Sequence, residues 1–210
     1  MIHGRNDPPF PAVVHVIDDD AIARWMFEEL LQGIDAKIRV FASAREFLAD
    51  YRPVPCECLV CDLRMPEIDG LEVQRRLLDK GSHVPIILVS GHADVPHAVE
   101  AIKKGAFDFL EKPVDGALLV AKVKDALQRS QQLFAEYLAR SAHEARLALL
   151  TAKEKQIAEF VAAGKSSPKI AQELGISVRT VENHRARLME KLHAESVADL
   201  VRLFPQAGRT

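Results

Sequence analysis

Residues 12–21 read AVVHVIDDDA. Six residues, apolar apart from His15, run straight into Asp18, Asp19 and Asp20, and the next basic side chain comes only at Arg24. A short apolar run cut off by a sharp change of polarity reads as a buried strand. Such a strand delivers its carboxylates together at its carboxyl end. Two unit charges about 4 Å apart repel by about 4 kcal/mol at an effective dielectric of about 20. The chain must therefore hold a cation there.

Four more runs share this form: KIRVF (37–41), CLVC (58–61), PIILVS (85–90) and DFLEK (108–112). Amphipathic stretches lie between them, among them Ala23 to Gln32 and Leu71 to Asp79. Short apolar strands alternating with helices imply repeated crossovers, and hence a parallel sheet covered on both faces. The prediction for residues 12–128 is an α/β fold, a five-stranded doubly wound parallel sheet of flavodoxin-like type. Its ligands bind at the carboxyl ends of the strands. Asp18 to Asp20, Asp62, Ser90 and Lys112 all fall at or just beyond such ends.

Composition narrows the class. Of 210 residues, 48% are apolar and 28% charged, with a net charge of -2, as in an ordinary globular protein. Residues 151–210 hold ten Lys and Arg against seven Asp and Glu, a net of +3, leaving 18 against 23 and a net of -5 for residues 1–150. Only the C-terminal part is suited to a polyanion. No apolar stretch reaches the roughly 18 residues of a membrane span. MIHGRNDPPFPA has charge and proline where a secretory signal needs an apolar core, so residues 1–11 are expected to be a disordered leader on a cytoplasmic protein. Cys56, Cys58 and Cys61 resemble a metal cluster at first sight, but strand alternation sends Cys58 and Cys61 to opposite faces. They are read as buried thiols.

From Gly116 to Gly164 the chain carries neither Gly nor Pro, and Leu119, Val123, Leu127, Phe134, Tyr137 and Leu138 recur at roughly helical spacing. The last helix of the sheet domain is expected to continue into a helical linker (129–146), its stripe packing on its own domain. Residues 147–210 read as an all-α, four-helix domain. Thr151 and Glu154 form a capping box before KQIAEFVAAG, which Gly164 ends. Ser167 is read as capping a helix with Pro168 at its first position, and Ser177 as the N-cap of the helix within ISVRTVENHRARLMEKL. A last helix starts at Ser196. Two short helices joined by a tight Gly-containing turn, the second strongly basic, form a helix-turn-helix pattern.

Both regions suggest a chemistry. Asp62, in LVCDLRMPEIDG, ends the most apolar strand. A carboxylate there becomes a useful nucleophile toward a phosphoryl group once a cation offsets the repulsion. Magnesium suits the task, being a hard ion that takes one or two carboxylates with water and phosphate oxygens. Asp18 and Asp19 supply carboxylates, Lys112 a fixed positive charge and Ser90 a hydroxyl. A lone acid at a strand end is most often a helix cap; four polar features on matching ends of different strands are not so explained. In the basic helix, 178–192, Val181, Leu188 and Leu192 share one face and leave Arg179, Glu182, Asn183, Ala186 and Arg187 outward, toward base edges. Thr180, His184, Arg185 and Lys191 are placed as phosphate contacts.

VIDDD, CDLRMPEIDG and VSGHADVPHAVEAIKKGAFDFLEKP resemble the receiver domain of two-component response regulators, most of all the FixJ-type members, over residues 12–128. The resemblance implies Asp62 as phosphoacceptor and a Mg2+ site (Mn2+ substituting) of Asp18, Asp19, Asp62 and the backbone carbonyl of Arg64. It implies Asp19 as the direct ligand, with Asp18 acting through water and Asp20 opening the first helix. Ser90 and Lys112 become phosphate partners, Ser90 and Phe109 the switch, and Arg64 and His92 the positions that tune phosphate lifetime. The Lys112-Pro113 peptide is expected to be cis.

LTAKEKQIAEFVAAGKSSPKIAQELGISVRTVENHRARLMEKLHAESVADLVRL resembles a LuxR-type helix-turn-helix domain, departing at Pro168-Lys169 and Ala152, both in first helical turns. Together they imply a FixJ/NarL-type regulator of transcription. Its expected partners are a sensor histidine kinase, promoter DNA, a second copy when phosphorylated, and RNA polymerase, with no membrane. It would be no enzyme beyond promoting its own phosphorylation and dephosphorylation. Two other readings compete. An aspartyl-phosphate phosphatase or phosphomutase would want an acid two residues after Asp62, where Arg64 stands; a constitutive regulator would carry a vestigial pocket.

Overall fold

The computed structural model describes residues 11–91 and 95–204. The expected leader, apart from Pro11, and His92 lie outside the described residues. The elements run β1 (Ala12–Ile17), α1 (Ala21–Leu31), β2 (Ala36–Phe41), α2 (Ala44–Asp50), β3 (Glu57–Asp62), α3 (Gly70–Asp79), β4 (Ile86–Ser90), α4 (Val95–Lys103), β5 (Asp108–Glu111), α5 (Gly116–Ala148), α6 (Ala152–Ala162), α7 (Ser167–Leu174), α8 (Val178–Leu192) and α9 (Val197–Leu203).

The five strands form one parallel sheet in the order β2-β1-β3-β4-β5. The register sets Ile17 beside Cys61 and Asp62 beside Val89, so the carboxyl ends of β1, β3 and β4 are level. Strand alternation then sorts side chains into two cores. Val14, Val16, Cys58 and Val60 pack with Phe27 of α1 and Leu119 and Val123 of α5. Ile17, Leu59 and Cys61 pack on the other face with Phe47 of α2 and Val73 and Leu77 of α3. Cys58 and Cys61 thus fall in different cores, as alternation requires, and all three thiols are free and buried.

Near the amino end of the sheet a polar cluster is enclosed by the second core. The Tyr51 hydroxyl donates to Glu57 Oε1 at 2.7 Å and lies 2.7 Å from Ser82 Oγ, while His15 Nε2 is 3.3 Å from Glu57 Oε2. His15 stacks edge-on against Phe47 and Tyr51.

The chain divides into two compact units between Glu136 and Tyr137. α5 is unbroken across the expected linker. Leu119, Val123 and Leu127 are buried, but Tyr137 is 55% and Leu138 48% exposed. The apolar stripe therefore packs on the sheet only through its first turns, because α5 outruns the sheet's length. In the second unit, Ile157, Ile170, Val181, Leu188, Leu192 and Leu200 make a third core. No described helix is long and apolar enough to cross a membrane.

Candidate functional site

The acidic residues of the opening stretch have different environments. Asp18, just past β1, is 1% exposed, whereas Asp19 and Asp20 face solvent. Asp20 is the N-cap of α1, its Oδ1 accepting from the Ile22 amide at 2.8 Å. Asp18 Oδ1 accepts the Asp20 amide at 2.9 Å, which turns its other oxygen inward across the end of the sheet. Arg24 ties the turn down: its Nη1 donates to the Asp18 carbonyl at 2.7 Å. Sequence reasoning noticed Arg24 only as the nearest basic residue and gave it no role.

Asp62 closes β3 and is 7% exposed. Its Oδ2 accepts the Arg64 amide at 2.7 Å, and the Arg64 side chain faces solvent. The loop behind it depends on Gly70, the first residue of α3. A Cβ there would stand 2.8 Å from the Asp62 carbonyl oxygen, 2.8 Å from Leu88 Cδ2 and 3.1 Å from Leu63 Cα. Any larger residue would push Asp62 off position. The available signal was a glycine at a helix start, where glycine is less common than at a helix end.

Lys112 follows β5, and its peptide bond to Pro113 is cis. Its Nζ donates to Asp18 Oδ2 at 2.7 Å and to Asp62 Oδ1 at 2.5 Å. One ammonium therefore offsets both buried carboxylates, and the cation demanded by residues 18–20 is in part the chain's own. Burial pushes the Asp62 carboxyl above the usual range, outweighing the hydrogen bond and charge of Lys112. Burial pulls the Lys112 ammonium down, yet the bonds to Asp18 and Asp62 outweigh it and raise the group above an ordinary lysine. Ser90 ends β4 at 2% exposure, its carbonyl accepting the Lys112 amide at 2.8 Å. Phe109 is half-buried beside Leu88.

Among the described residues no three His, Cys, Asp or Glu side chains converge into a set that could hold a metal ion. The donor chemistry nonetheless suits magnesium: Asp18 and Asp62 bring two hard carboxylate oxygens together, each now accepting from Lys112 Nζ. An ion that keeps several waters needs no more carboxylates than that.

The second unit presents a different surface. Thr151 and Glu154 form the capping box of α6, and Ser177 caps α8 through the Thr180 amide at 3.0 Å. The α7 cap lies one residue earlier than the sequence suggests. Ser166 is the N-cap, Ser167 is already helical, and its hydroxyl accepts from Arg185 Nη1 at 3.0 Å. On α8, Val181, Leu188 and Leu192 are buried, and Arg179, Glu182, Asn183, Ala186 and Arg187 are exposed. Thr180 and His184 are half-buried, the His184 Nδ1 enclosed without a hydrogen-bond partner among the described residues. Lys191 Nζ donates to Glu154 Oε2 at 2.7 Å.

Comparison with known proteins assigns both units. The response regulator receiver domain matches residues 14–124, and the bacterial regulatory proteins of the luxR family match residues 148–204. The transcriptional regulatory protein FixJ of Azorhizobium caulinodans is 44% identical over 93% of this chain and 92% of its own. The response regulator protein TmoT of Ectopseudomonas mendocina is 39% identical over 91% of this chain and 87% of its own. Among solved structures, the response regulator StyR superposes with a TM-score of 0.85 at 34% identity, covering 94% of this chain and all of its own. Full-length FixJ from B. japonicum does so with a TM-score of 0.57 at 39% identity, over 94% and 97%. A receiver sheet with an acidic carboxyl end, followed by a luxR-type helical unit and matched over nearly the whole chain, places this protein in the FixJ-like response regulators, transcriptional regulators that join a receiver domain to a DNA-binding domain.

Proposed function

We propose that Asp62 accepts a phosphoryl group from a sensor histidine kinase and that the modified receiver dimerises and alters promoter binding. The observation that carries this reading is the Lys112 ammonium held by both Asp18 and Asp62. It marks a position where positive charge is favoured beside a buried carboxylate, which an incoming phosphoryl group needs. In the transfer, Asp62 Oδ1 forms a bond to phosphorus as the bond to the donor imidazole nitrogen breaks. The imidazole, protonated at its other ring nitrogen, leaves with that electron pair as a neutral ring, so no proton need be taken from Asp62. Lys112 leaves Oδ1 and follows the new negative charge onto a phosphoryl oxygen. Asp18, Asp19, Asp62 and the Arg64 carbonyl would hold Mg2+, which when bound would neutralise charge on the transferring group.

The new group carries about two negative charges and biases a pre-existing equilibrium. Ser90 supplies a hydroxyl to it, and Phe109 follows Ser90 to remodel the surface formed by α4, β5 and α5. Arg64, exposed beside Asp62, obstructs an attacking water and lengthens the phosphate's life. Dimerisation doubles the phosphate contacts to promoter DNA and sets the spacing of two half-sites. The protein acts in the cytoplasm and engages RNA polymerase at the promoter. Asp62→Asn should abolish labelling by a small-molecule phosphodonor in Mg2+ and the accompanying gain in promoter affinity. Stoichiometric labelling of that variant would refute the assignment.

A further inference from the structure

Four side chains of α8, namely Thr180, His184, Arg185 and Lys191, lie off its outward face, and the two cationic ones are already engaged inside the domain. Lys191 Nζ donates to Glu154 Oε2 at 2.7 Å, and the Glu154 side chain is only 4% exposed. The same oxygen accepts the Thr151 amide at 2.9 Å and the Thr151 hydroxyl at 3.0 Å. Arg185 Nη1 donates at 3.0 Å to Ser167 Oγ, and Ser167 is 6% exposed. By contrast, Arg179 and Arg187 are exposed and form no ion pair among the described residues. The cations of α8 thus fall into two classes: two that face solvent and two bound into neighbouring helices.

The placement of the bound pair has a mechanical sense. Arg185 ties the middle of α8 to the first turn of α7, and Lys191 ties its last turn to the first turn of α6. The two anchors are about 9 Å apart along the helix axis. An apolar stripe such as Val181, Leu188 and Leu192 fixes which side of a helix is buried but tolerates a few degrees of roll. Two polar ties at separate heights remove that freedom, because a hydrogen bond weakens steeply with angle. Releasing either cation to a phosphate would leave Glu154 buried without its counter-charge, or Ser167 without its donor.

We infer that Arg185 and Lys191 are positioning residues, which set the roll and tilt of α8 so that Arg179, Asn183 and Arg187 meet DNA, and that neither is itself a phosphate contact. This rests on α8 being the DNA-reading helix. Their assignment to phosphates in the sequence followed helical geometry alone, which cannot see that Glu154 and Ser167 lie underneath.

Salt dependence separates the two roles. A lost phosphate contact lowers the slope of log affinity against log salt by about one, while a lost positioning tie lowers affinity and leaves the slope alone. The full-length protein is used to select a duplex from a randomised pool, and the Kd for that labelled duplex is measured by anisotropy over a range of KCl. Lys191→Met and Glu154→Gln should each weaken binding by roughly tenfold at unchanged slope. The double variant should be no weaker than either single one, and Lys191→Arg should bind like the parent. Ser167→Ala, which leaves the Glu154 cap intact, should likewise weaken binding at constant slope. A smaller slope in Lys191→Met, tighter binding in Glu154→Gln, or unchanged affinity in both overturns the inference. Failure of the parent protein to select any duplex would instead remove the DNA-reading role on which it stands.

Discussion

The side-chain amide of Gln74 on α3 donates to the carbonyl of Lys104, just past the end of α4, at 2.8 Å. Its Nε2 also reaches the Ala101 carbonyl at 3.5 Å, a weaker contact. α4 otherwise ends by its own backbone: the Gly105 amide returns to Ile102 and the Ala106 amide to Ala101, with Gly105 at φ 93°. The Lys104 carbonyl would be left over, and Gln74 satisfies it from the neighbouring helix. The Gln74 side chain is buried and its Oε1 has no partner among the described residues, so the net gain is modest. Gln74→Leu should cost about 1 kcal/mol and speed amide exchange at residues 104–107 roughly fivefold, leaving the β1 amides unaffected. Acceleration spread evenly over the receiver would show that Gln74 does not act at this helix end.

The Tyr51 hydroxyl joins Glu57 to Ser82 within the second core. Burial, and then the Glu57 charge, push the Tyr51 phenol far above its ordinary value, so it stays a donor at neutral pH. A folded-state value raised above the unfolded one gives stability that is present below the unfolded value and lost as pH rises through it. Tyr51→Phe should therefore be less stable than the parent by about 1–2 kcal/mol at neutral pH. Above about pH 10 the parent should lose that advantage, because only its unfolded state ionises there. Urea midpoints measured for both proteins at neutral and alkaline pH test this. Parallel loss of stability in the two would mean that the phenol's ionisation is not coupled to folding.

The strands and their acidic carboxyl ends were legible because they depend on local runs: AVVHVI, CLVC and PIILVS each announce themselves, and alternation alone sorts Cys58 from Cys61. α2 was not singled out, although Ser43 and Glu46 carry its cap signal; seven residues give too few turns for a periodic pattern. The α7 cap was misplaced by one residue because Ser166 and Ser167 are equivalent locally, and only Arg185, 18 positions away, distinguishes them. Gln74 and Tyr51, and the tie from Glu154 to Lys191, were invisible for the same reason. Each works through a partner distant in sequence, and nothing in the residue itself names that partner.

At the acidic end, Lys112 offsets two carboxylates at once. Lys112→Met would leave Asp18 and Asp62 facing each other without a counter-charge. Lys112 is 24% exposed, so water moderates the penalty, and the expected loss is about 1–3 kcal/mol in the presence of a chelator. Added Mg2+ can take over part of the lost charge, so it should raise the Tm of Lys112→Met by more than it raises that of the parent. Thermal melts in chelator and in excess Mg2+ give both values. An equal Mg2+ shift in the two proteins would mean that lysine and metal do not serve the same carboxylates.

Glu154 carries the corresponding acid-side prediction for the second unit. Lys191 first, then the Thr151 amide, draws its carboxyl from an ordinary 4.5 to about 2. A depressed folded-state value gives stability that is present above the unfolded value and lost as pH falls toward the folded one. The helical unit should therefore weaken between pH 4.5 and about 2, beyond the loss shared by other acids. Glu154→Gln cannot titrate, so it should begin less stable at neutral pH and converge on the parent as the acid limit is reached. Hydrogen exchange of residues 151–204 in the full-length chain, followed across that pH range, isolates this unit from the receiver. A gap between parent and variant that stays constant down to about pH 2 would mean the carboxylate's charge contributes nothing, and that its cap geometry alone holds α6 to α8.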